Sequence, residues 1–424
     1  MPDMKHLDQQ VMWHPFTQMA EWDPLVIASG DGNYLVDSDG RRYLDGVSSL
    51  WCNLHGHRHP RLDRALRDQL DLIAHATFLG LTHEPGIRLG AALLEVAPPG
   101  LTRVFYSDSG SAAVEIALKQ SFQYWRLRGQ PSKQRFLRLD EAYHGDTLGA
   151  VGVGGIELFH RIFGPLLVRS IAIPTPAGTD GSASLARLEH ELTVHAHEIA
   201  AFVLEPLVQG AAGMLVHPGG FLSSAAELCR RHAVHLIVDE VATGFGRTGT
   251  LFACEQERVA PDFLCLAKGI SGGYLPLAAT LATAEIYEAF LGKREELRQF
   301  FHGHTYTANP LACAVGLESL ALLRESSLAN ARAQVPNMAS ALDRIRQHRG
   351  VRGVRQCGLM AGIEIDLRAG RYMGADICAR ARSHGVILRP LGDVVVWMPP
   401  LTLQSGDLEI LERATAAAID EACG

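Results

Sequence analysis

HLIVDEVATGFGRTGTLFACEQERVAPDFLCLAKGISGG, residues 235–273, contains two short apolar runs bounded by turn residues. Leu236-Ile237-Val238 and Phe263-Leu264-Cys265-Leu266 have the length and composition of buried strands in a parallel sheet. Asp239 and Glu240 stand at the C-terminal end of the first run, and Lys268, followed at once by glycine, lies just past the end of the second. Open α/β sheets bind ligands outside the carboxyl ends of their strands, so the acid and the amine can face one molecule.

That pairing has a chemical use in pyridoxal phosphate (PLP) enzymes. There a lysine holds the cofactor's aldehyde and a carboxylate keeps its pyridine nitrogen protonated, so the ring can accept electrons. Two other readings compete. A strand ending in Asp-Glu also occurs in P-loop nucleotide hydrolases, but the chain has no GxxxxGK[ST] stretch. Gly244-Phe245-Gly246-Arg247-Thr248-Gly249 matches the GxGxxG form, yet it lies several residues beyond the strand and runs into TLFACE rather than a convincing helix.

The 424 residues are too many for one ordinary core and predict two domains, and 47% hydrophobic with 20% charged residues is a globular composition. A formal net charge of −7 argues against a nucleic-acid partner and for a small molecule. The 8 cysteines are scattered without a CxxC and read as reduced core residues. The opening MPDMKH lacks the apolar core of a signal peptide and no apolar run approaches membrane-spanning length, so the expectation is a cytoplasmic protein.

Residues 1–60 are polar and punctuated by aromatics, with strands expected at Leu25-Val26-Ile27 and Tyr34-Leu35-Val36 joined through Gly30-Asp31-Gly32. Too short to bury a core, this segment is expected to pack on the C-terminal domain. The alternation His55, His57, His59 has no accompanying thiolates or second acidic cluster, and no metal is assigned to it. Residues 61–310 alternate helices with short strands, the pattern of a large, mainly parallel sheet. Within them Arg103–Tyr106 reads as a strand, Ser107-Asp108-Ser109-Gly110-Ser111 as a polar turn and Ala112–Leu127 as a helix. Serines flanking a glycine at a helix start form a phosphate cradle, since N–H groups and the positive dipole end point at the ligand. Phe136–Leu139 leads to the loop EAYHGDT, whose Tyr143 could stack on a planar ring, and Ala201–Leu204 leads to Glu205. Residues 311–424 read as a smaller α/β domain.

IVDEVATGFGRTG followed by DFLCLAKGISGG resembles the signature of class III aminotransferases, which are fold-type I PLP enzymes, and the resemblance covers nearly the whole chain. WHPFTQM, SSLWCNLHGH, YSDSGSAAVEIALK, YHGDTLGA, LEPLVQGAAGM, HTYTANPLACA and RPLGD further resemble its biotin-pathway branch, which aminates 8-amino-7-oxononanoate with S-adenosylmethionine or lysine as donor. The resemblance implies that Lys268 is the cofactor-bearing lysine and proton shuttle, Asp239 the partner of the pyridine nitrogen and Tyr143 the ring-stacking residue. It implies that Gly110 and Ser111 bind the phosphate, and that Thr305 reaches the same group from a partner subunit in a homodimer with composite sites. Trp51 would line the substrate pocket, Arg389 would pair with the keto acid's distant carboxylate, and Glu205 and Asp146 would lie near the cofactor. Phe16, Leu50 and Val396 stand where many members carry tyrosine or tryptophan. Other class III enzymes acting on ornithine, 4-aminobutyrate or a β-amino acid, and PLP isomerases of the aminomutase or racemase kind, share much of the signature.

Overall fold

The computed structural model describes residues 3–168, 170–366 and 372–424, so Met1 and Pro2 of the opening segment lie outside the described residues. The N-terminal region forms three antiparallel strands, β1 (Ile27–Asp31), β2 (Tyr34–Asp37) and β3 (Arg42–Asp45). β1 therefore starts where the expected Leu25–Ile27 strand ends and runs through Gly30 and Asp31. The ladder explains the shift: Asp31 pairs with Tyr34, closing a two-residue turn at Gly32-Asn33, and His57 crosses so closely that a Cβ on Gly30 would lie 2.7 Å from its Cβ.

Next in the chain come β4 (Leu101–Ser107), β5 (Arg135–Leu139), β6 (Ile171–Ile173) and β7 (Ile199–Leu204). A short ribbon follows, β8 (Val208–Gln209) with β9 (Leu215–Val216), and then β10 (His235–Asp239), β11 (Phe263–Leu266) and β12 (Ala278–Thr283). Seven of these build one sheet in the order β4-β12-β11-β10-β7-β5-β6, in which β12 alone runs against its neighbours. The fold is α/β, with a large mainly parallel sheet flanked by helices.

Every residue of β7, β10 and β11 is buried, which is why they read as unbroken apolar runs. Successive side chains point to opposite faces. Leu236 and Val238 pack with Leu188, Leu192 and Leu228 on one side, while Ile237 packs with Ala113, Val114 and Ala117 of the Gly110–Leu127 helix on the other. Because β4, β5, β7, β10 and β11 run in one direction, all five deliver their C-terminal residues to a single edge.

The C-terminal region supplies β13 (Val351–Cys357), β14 (Met360–Ile365), β15 (Val386–Ile387), β16 (Arg389–Leu391) and β17 (Val394–Trp397). Four of them form an antiparallel sheet ordered β13-β14-β17-β16. β15 pairs in parallel with β3, so strands from the two ends of the chain share one sheet.

Candidate active site

A cavity of about 730 Å³ opens at the C-terminal edge of the large sheet. Trp51, Gly110, Ser111, Tyr143, Asp146, Glu205, Asp239 and Lys268 all line it. Arg389 and Thr305 are not among its lining residues.

Lys268 opens the short helical turn Lys268–Ser271 after β11 with φ of 44°, a left-handed conformation that costs a residue bearing a Cβ and is characteristic of functional sites. Its Nζ lies 5.3 Å from the Trp51 ring centroid. Burial pushes the amine below the ordinary lysine range, opposed by the charges of Asp239 and Glu205. A lysine so placed yields the neutral, nucleophilic form more readily. Trp51 is aimed by a contorted backbone, with Ser48, Ser49 and Trp51 all at positive φ. Ser48 Oγ donates to Met398 O at 2.7 Å and Ser49 N to Asp45 Oδ2 at 2.7 Å, which pins that conformation.

The neighbouring acids Asp239 and Glu240 have opposite uses. Asp239 Oδ1 accepts from Val241 N at 3.0 Å and Oδ2 from His144 Nδ1 at 2.7 Å, leaving an oriented carboxylate at the cavity wall. Glu240 turns inward and accepts from Ala253 N, Cys254 N and Thr243 Oγ1 at 2.9, 2.8 and 2.8 Å, tying the loop after β10. Within that loop Gly244–Gly249 is a series of turns, and buried Arg247 donates to Pro399 O and Ser48 Oγ, so no helix follows to receive a dinucleotide.

The Gly110–Leu127 helix is capped by Ser109, whose side chain accepts from Ala112 N at 3.2 Å. Glycine is required at 110 because a Cβ there would lie 2.6 Å from Val241 Cγ1. Ser111 Oγ contacts Thr147 Oγ1 at 2.6 Å and accepts from Thr147 N at 3.1 Å, joining the helix start to the loop after β5. The helix begins two residues earlier than the sequence predicts, so Gly110 and Ser111 are its first residues, where backbone N–H groups have no intrahelical acceptor.

Tyr143 is held at both ends. Its N–H donates to Glu205 Oε2 at 3.1 Å and its hydroxyl to Asp146 Oδ2 at 2.8 Å, and burial with the Asp146 hydrogen bond raises the phenol above its ordinary range. Glu205 Oε1 also accepts from Gly210 N at 2.9 Å, and burial raises its carboxyl to about 7. Arg389 lies half-buried in β16 opposite Val396, near enough for its charge to act on Tyr143. Thr305 is exposed in a turn on the protein surface.

Sequence reasoning left His144 and Thr147 without roles, although both stand in the quoted YHGDT loop. The available signal was their place beside Tyr143 at a strand end; the partner of His144 lies on a strand that only the folded sheet brings alongside.

The Aminotransferase class-III family model matches residues 17–419. The adenosylmethionine-8-amino-7-oxononanoate aminotransferase of Nitratidesulfovibrio vulgaris is 50% identical over 98% of this chain and 81% of its own length. That of Geobacter sulfurreducens is 47% identical over 100% of both chains. The crystal structure of the enzyme of that name from Methanocaldococcus jannaschii superposes with a TM-score of 0.95 at 40% identity, covering 99% of this chain and 98% of its own. A PLP-bound amine transaminase from an uncultivated Pseudomonas species gives 0.92 at 36% identity, covering 98% of this chain and 99% of its own. By sequence and by fold, this chain belongs to the class III aminotransferases.

Proposed function

We propose that this protein is a PLP-dependent aminotransferase that converts 8-amino-7-oxononanoate to 7,8-diaminononanoate in biotin biosynthesis. The observation that carries the reading is one cavity that gathers a half-buried lysine, an oriented carboxylate and a helix start whose first two residues have no intrahelical acceptor for their N–H groups, in a chain alike over its whole length to enzymes of that name.

The residues fit pyridoxal phosphate. Gly110 leaves room where a Cβ would collide with Val241, the N–H groups of Gly110 and Ser111 have no intrahelical acceptor, and Asp239, which also lines the cavity, is held by two donors. When bound, PLP supplies an aldehyde that takes up the amino group and a ring that delocalises the charge left when a carbon loses its proton. Lys268 Nζ is then the covalent attachment point and moves the proton at that carbon. Asp239 keeps the pyridine nitrogen protonated, and Tyr143 flanks the ring. Gly110 and Ser111 bind the phosphate, with Thr147 at their side. Glu205 fixes the Tyr143 and Gly210 loops relative to each other, and Asp146 orients the Tyr143 hydroxyl.

Trp51 lines the substrate channel, and Arg389, with no carboxylate paired to it among the described residues, takes the distant carboxylate of the acceptor. In the same reading the protein is a cytoplasmic homodimer, and Thr305 reaches the phosphate of the partner's site; its exposure here agrees with that. Residues 61–310 make the large cofactor domain, while residues 1–60 join residues 311–424 in the smaller one, supported by the pairing of β3 with β15.

The test is to incubate purified, PLP-loaded protein with 8-amino-7-oxononanoate and either S-adenosylmethionine or lysine, and to follow 7,8-diaminononanoate by mass spectrometry. Product with one donor is expected, and it settles which donor is used. Product with neither donor, together with amination of pyruvate or succinic semialdehyde by simple ω-amines, would move the protein to the amine transaminases that it also resembles.

A further inference from the structure

Between Leu297 and Asn309 the chain has neither helix nor strand, and the backbone bonds there are confined to tight turns such as His302 N to Phe300 O at 3.0 Å. Side chains hold this segment instead. Gln123, on the outer face of the Gly110–Leu127 helix, donates to the carbonyls of Arg298 and Gln299 at 3.1 and 3.2 Å. One helical turn earlier, Lys119 Nζ contacts His302 Nδ1 at 2.9 Å. His302 Nε2 then lies 3.2 Å from His304 Nε2, and His304 Nδ1 lies 2.8 Å from Asp108 Oδ1. Asp108 lines the main cavity, in the same turn that leads to Gly110. The His302 ring stacks on Phe300 with centroids 5.5 Å apart and planes 14° apart.

The direction of these contacts is forced by chemistry. An ammonium only donates and an ionised carboxylate only accepts. His304 Nδ1 must therefore carry the hydrogen given to Asp108, which leaves its Nε2 as an acceptor. His302 Nε2 must donate to that acceptor, and its Nδ1 must receive from Lys119. Each contact then has one hydrogen, and both imidazoles are neutral. A second proton on either ring sets N–H against N–H, or against the ammonium.

The geometry points to Lys119, His302, His304 and Asp108 as a directed hydrogen-bond chain, intact only with both imidazoles neutral, that positions the turn bearing Thr305 for the phosphate of the partner subunit's site. It rests on the dimeric reading above. It also ties the two phosphate contacts together, since the helix whose first residues bind one subunit's phosphate carries on its outer face the tether of the segment that serves the other.

The groups facing His302 are Lys119 and Glu115 from the helix, Asp108 from the turn before it and His304 from its own segment. Partial burial, then the Lys119 charge, hold His302 below the ordinary imidazole range. The chain is therefore complete near pH 8 and is lost only as pH falls through the lowered range of His302.

The test compares PLP release from the dialysed holoenzyme at pH 8 and pH 5.5, together with hydrogen exchange of peptides spanning residues 298–305. His302→Phe keeps the stacked ring and removes both nitrogens. It should release PLP about threefold to tenfold faster than wild type at pH 8 and respond less to acid, as expected for loss of a hydrogen bond or two. The wild-type 298–305 peptide should gain excess exchange at pH 5.5 that His302→Phe already shows at pH 8. Lys119→Met, at an exposed position, repeats the cut without touching the segment. Thr305→Ala separates the two readings. If it releases PLP faster while both cuts behave as wild type, the chain is not a positioning device and the dimeric reading stands. If Thr305→Ala also behaves as wild type, the dimeric reading falls and this proposal with it.

Discussion

Two lysines, Lys133 buried and Lys268 half-buried, lie at opposite ends of the large sheet, and the partners of their amines decide what each can do. Lys133 Nζ stands over the Trp125 ring at 4.3 Å and Lys268 Nζ over the Trp51 ring at 5.3 Å. Burial lowers both amines, Lys133 to about 8. Lys133, however, donates to the carbonyls of Ala196, Ile199 and Ala233 at 2.7, 3.0 and 2.8 Å, one acceptor for each ammonium hydrogen. No hydrogen bond holds Lys268 among the described residues; it faces the cavity, where the charges of Asp239 and then Glu205 act on it most. Burial alone does not make a reactive lysine. At the closed end of the sheet every proton has a partner and the charge is structural. At the open end the proton is free to leave.

The strongest way to break this comparison is to exchange the expected fates of the two lysines. Lys268→Ala should lower turnover by on the order of a thousandfold or more while leaving PLP bound by phosphate and ring contacts. Borohydride reduction of the loaded protein followed by peptide mapping should label Lys268 and leave Lys133 untouched. A label on Lys133 reverses the argument.

Asp239 tests the open end from its other wall. Asp239→Asn should weaken protonation of the pyridine nitrogen and cost roughly three orders of magnitude in rate, read from single-turnover kinetics with the amino donor. His144→Phe removes the donor at 2.7 Å but keeps the carboxylate, so its cost should be nearer tenfold. If both substitutions cost the same, Asp239 acts only through His144.

The contrast between the two lysines was half legible in the sequence. β10 and β11 announced themselves because strands buried on both faces are unbroken apolar runs, and Asp239 and Lys268 at their C-terminal ends both line the cavity. The helix start at Gly110 was legible as a serine-glycine turn before an apolar stripe. Lys133 was not, because its three acceptors lie far along the chain, at Ala196, at Ile199 where β7 begins, and at Ala233. His144 was hidden for the same reason, and the inward turn of Glu240 shows the limit of reading two adjacent acids as one site. β1 was misplaced because pairing with Tyr34 and the crossing of His57, both outside the strand, set its register.

At the closed end the expected loss is stability, with turnover spared. Lys133→Met replaces the ammonium with an apolar end of similar length and strands three buried carbonyls, which should cost about 3 kcal/mol. Urea denaturation measures that loss, and kcat of the folded fraction should stay within about twofold of wild type, since no contact with the cavity changes. A large fall in kcat at unchanged stability would place Lys133 in the reaction.

The smallest effect belongs to Glu205, where the open end pays for its buried charge. Burial raises this carboxyl from 4.5 to about 7, so between those values the folded chain holds a proton that the unfolded chain has released. Its contribution to stability is therefore complete below the unfolded value and is lost as pH rises through about 7. From pH 6 to pH 8.5 that loss is about 1–1.5 kcal/mol. Glu205→Gln is neutral throughout, but its single carbonyl oxygen cannot accept from both Tyr143 N and Gly210 N, so it should be the less stable protein at pH 6. By pH 8.5 it should have gained on wild type by that same 1–1.5 kcal/mol. Urea midpoints of the two cofactor-free proteins at both pH values decide it. An equal gap at both would mean that Glu205 keeps one protonation state across the range, with the Tyr143 loop held by geometry alone.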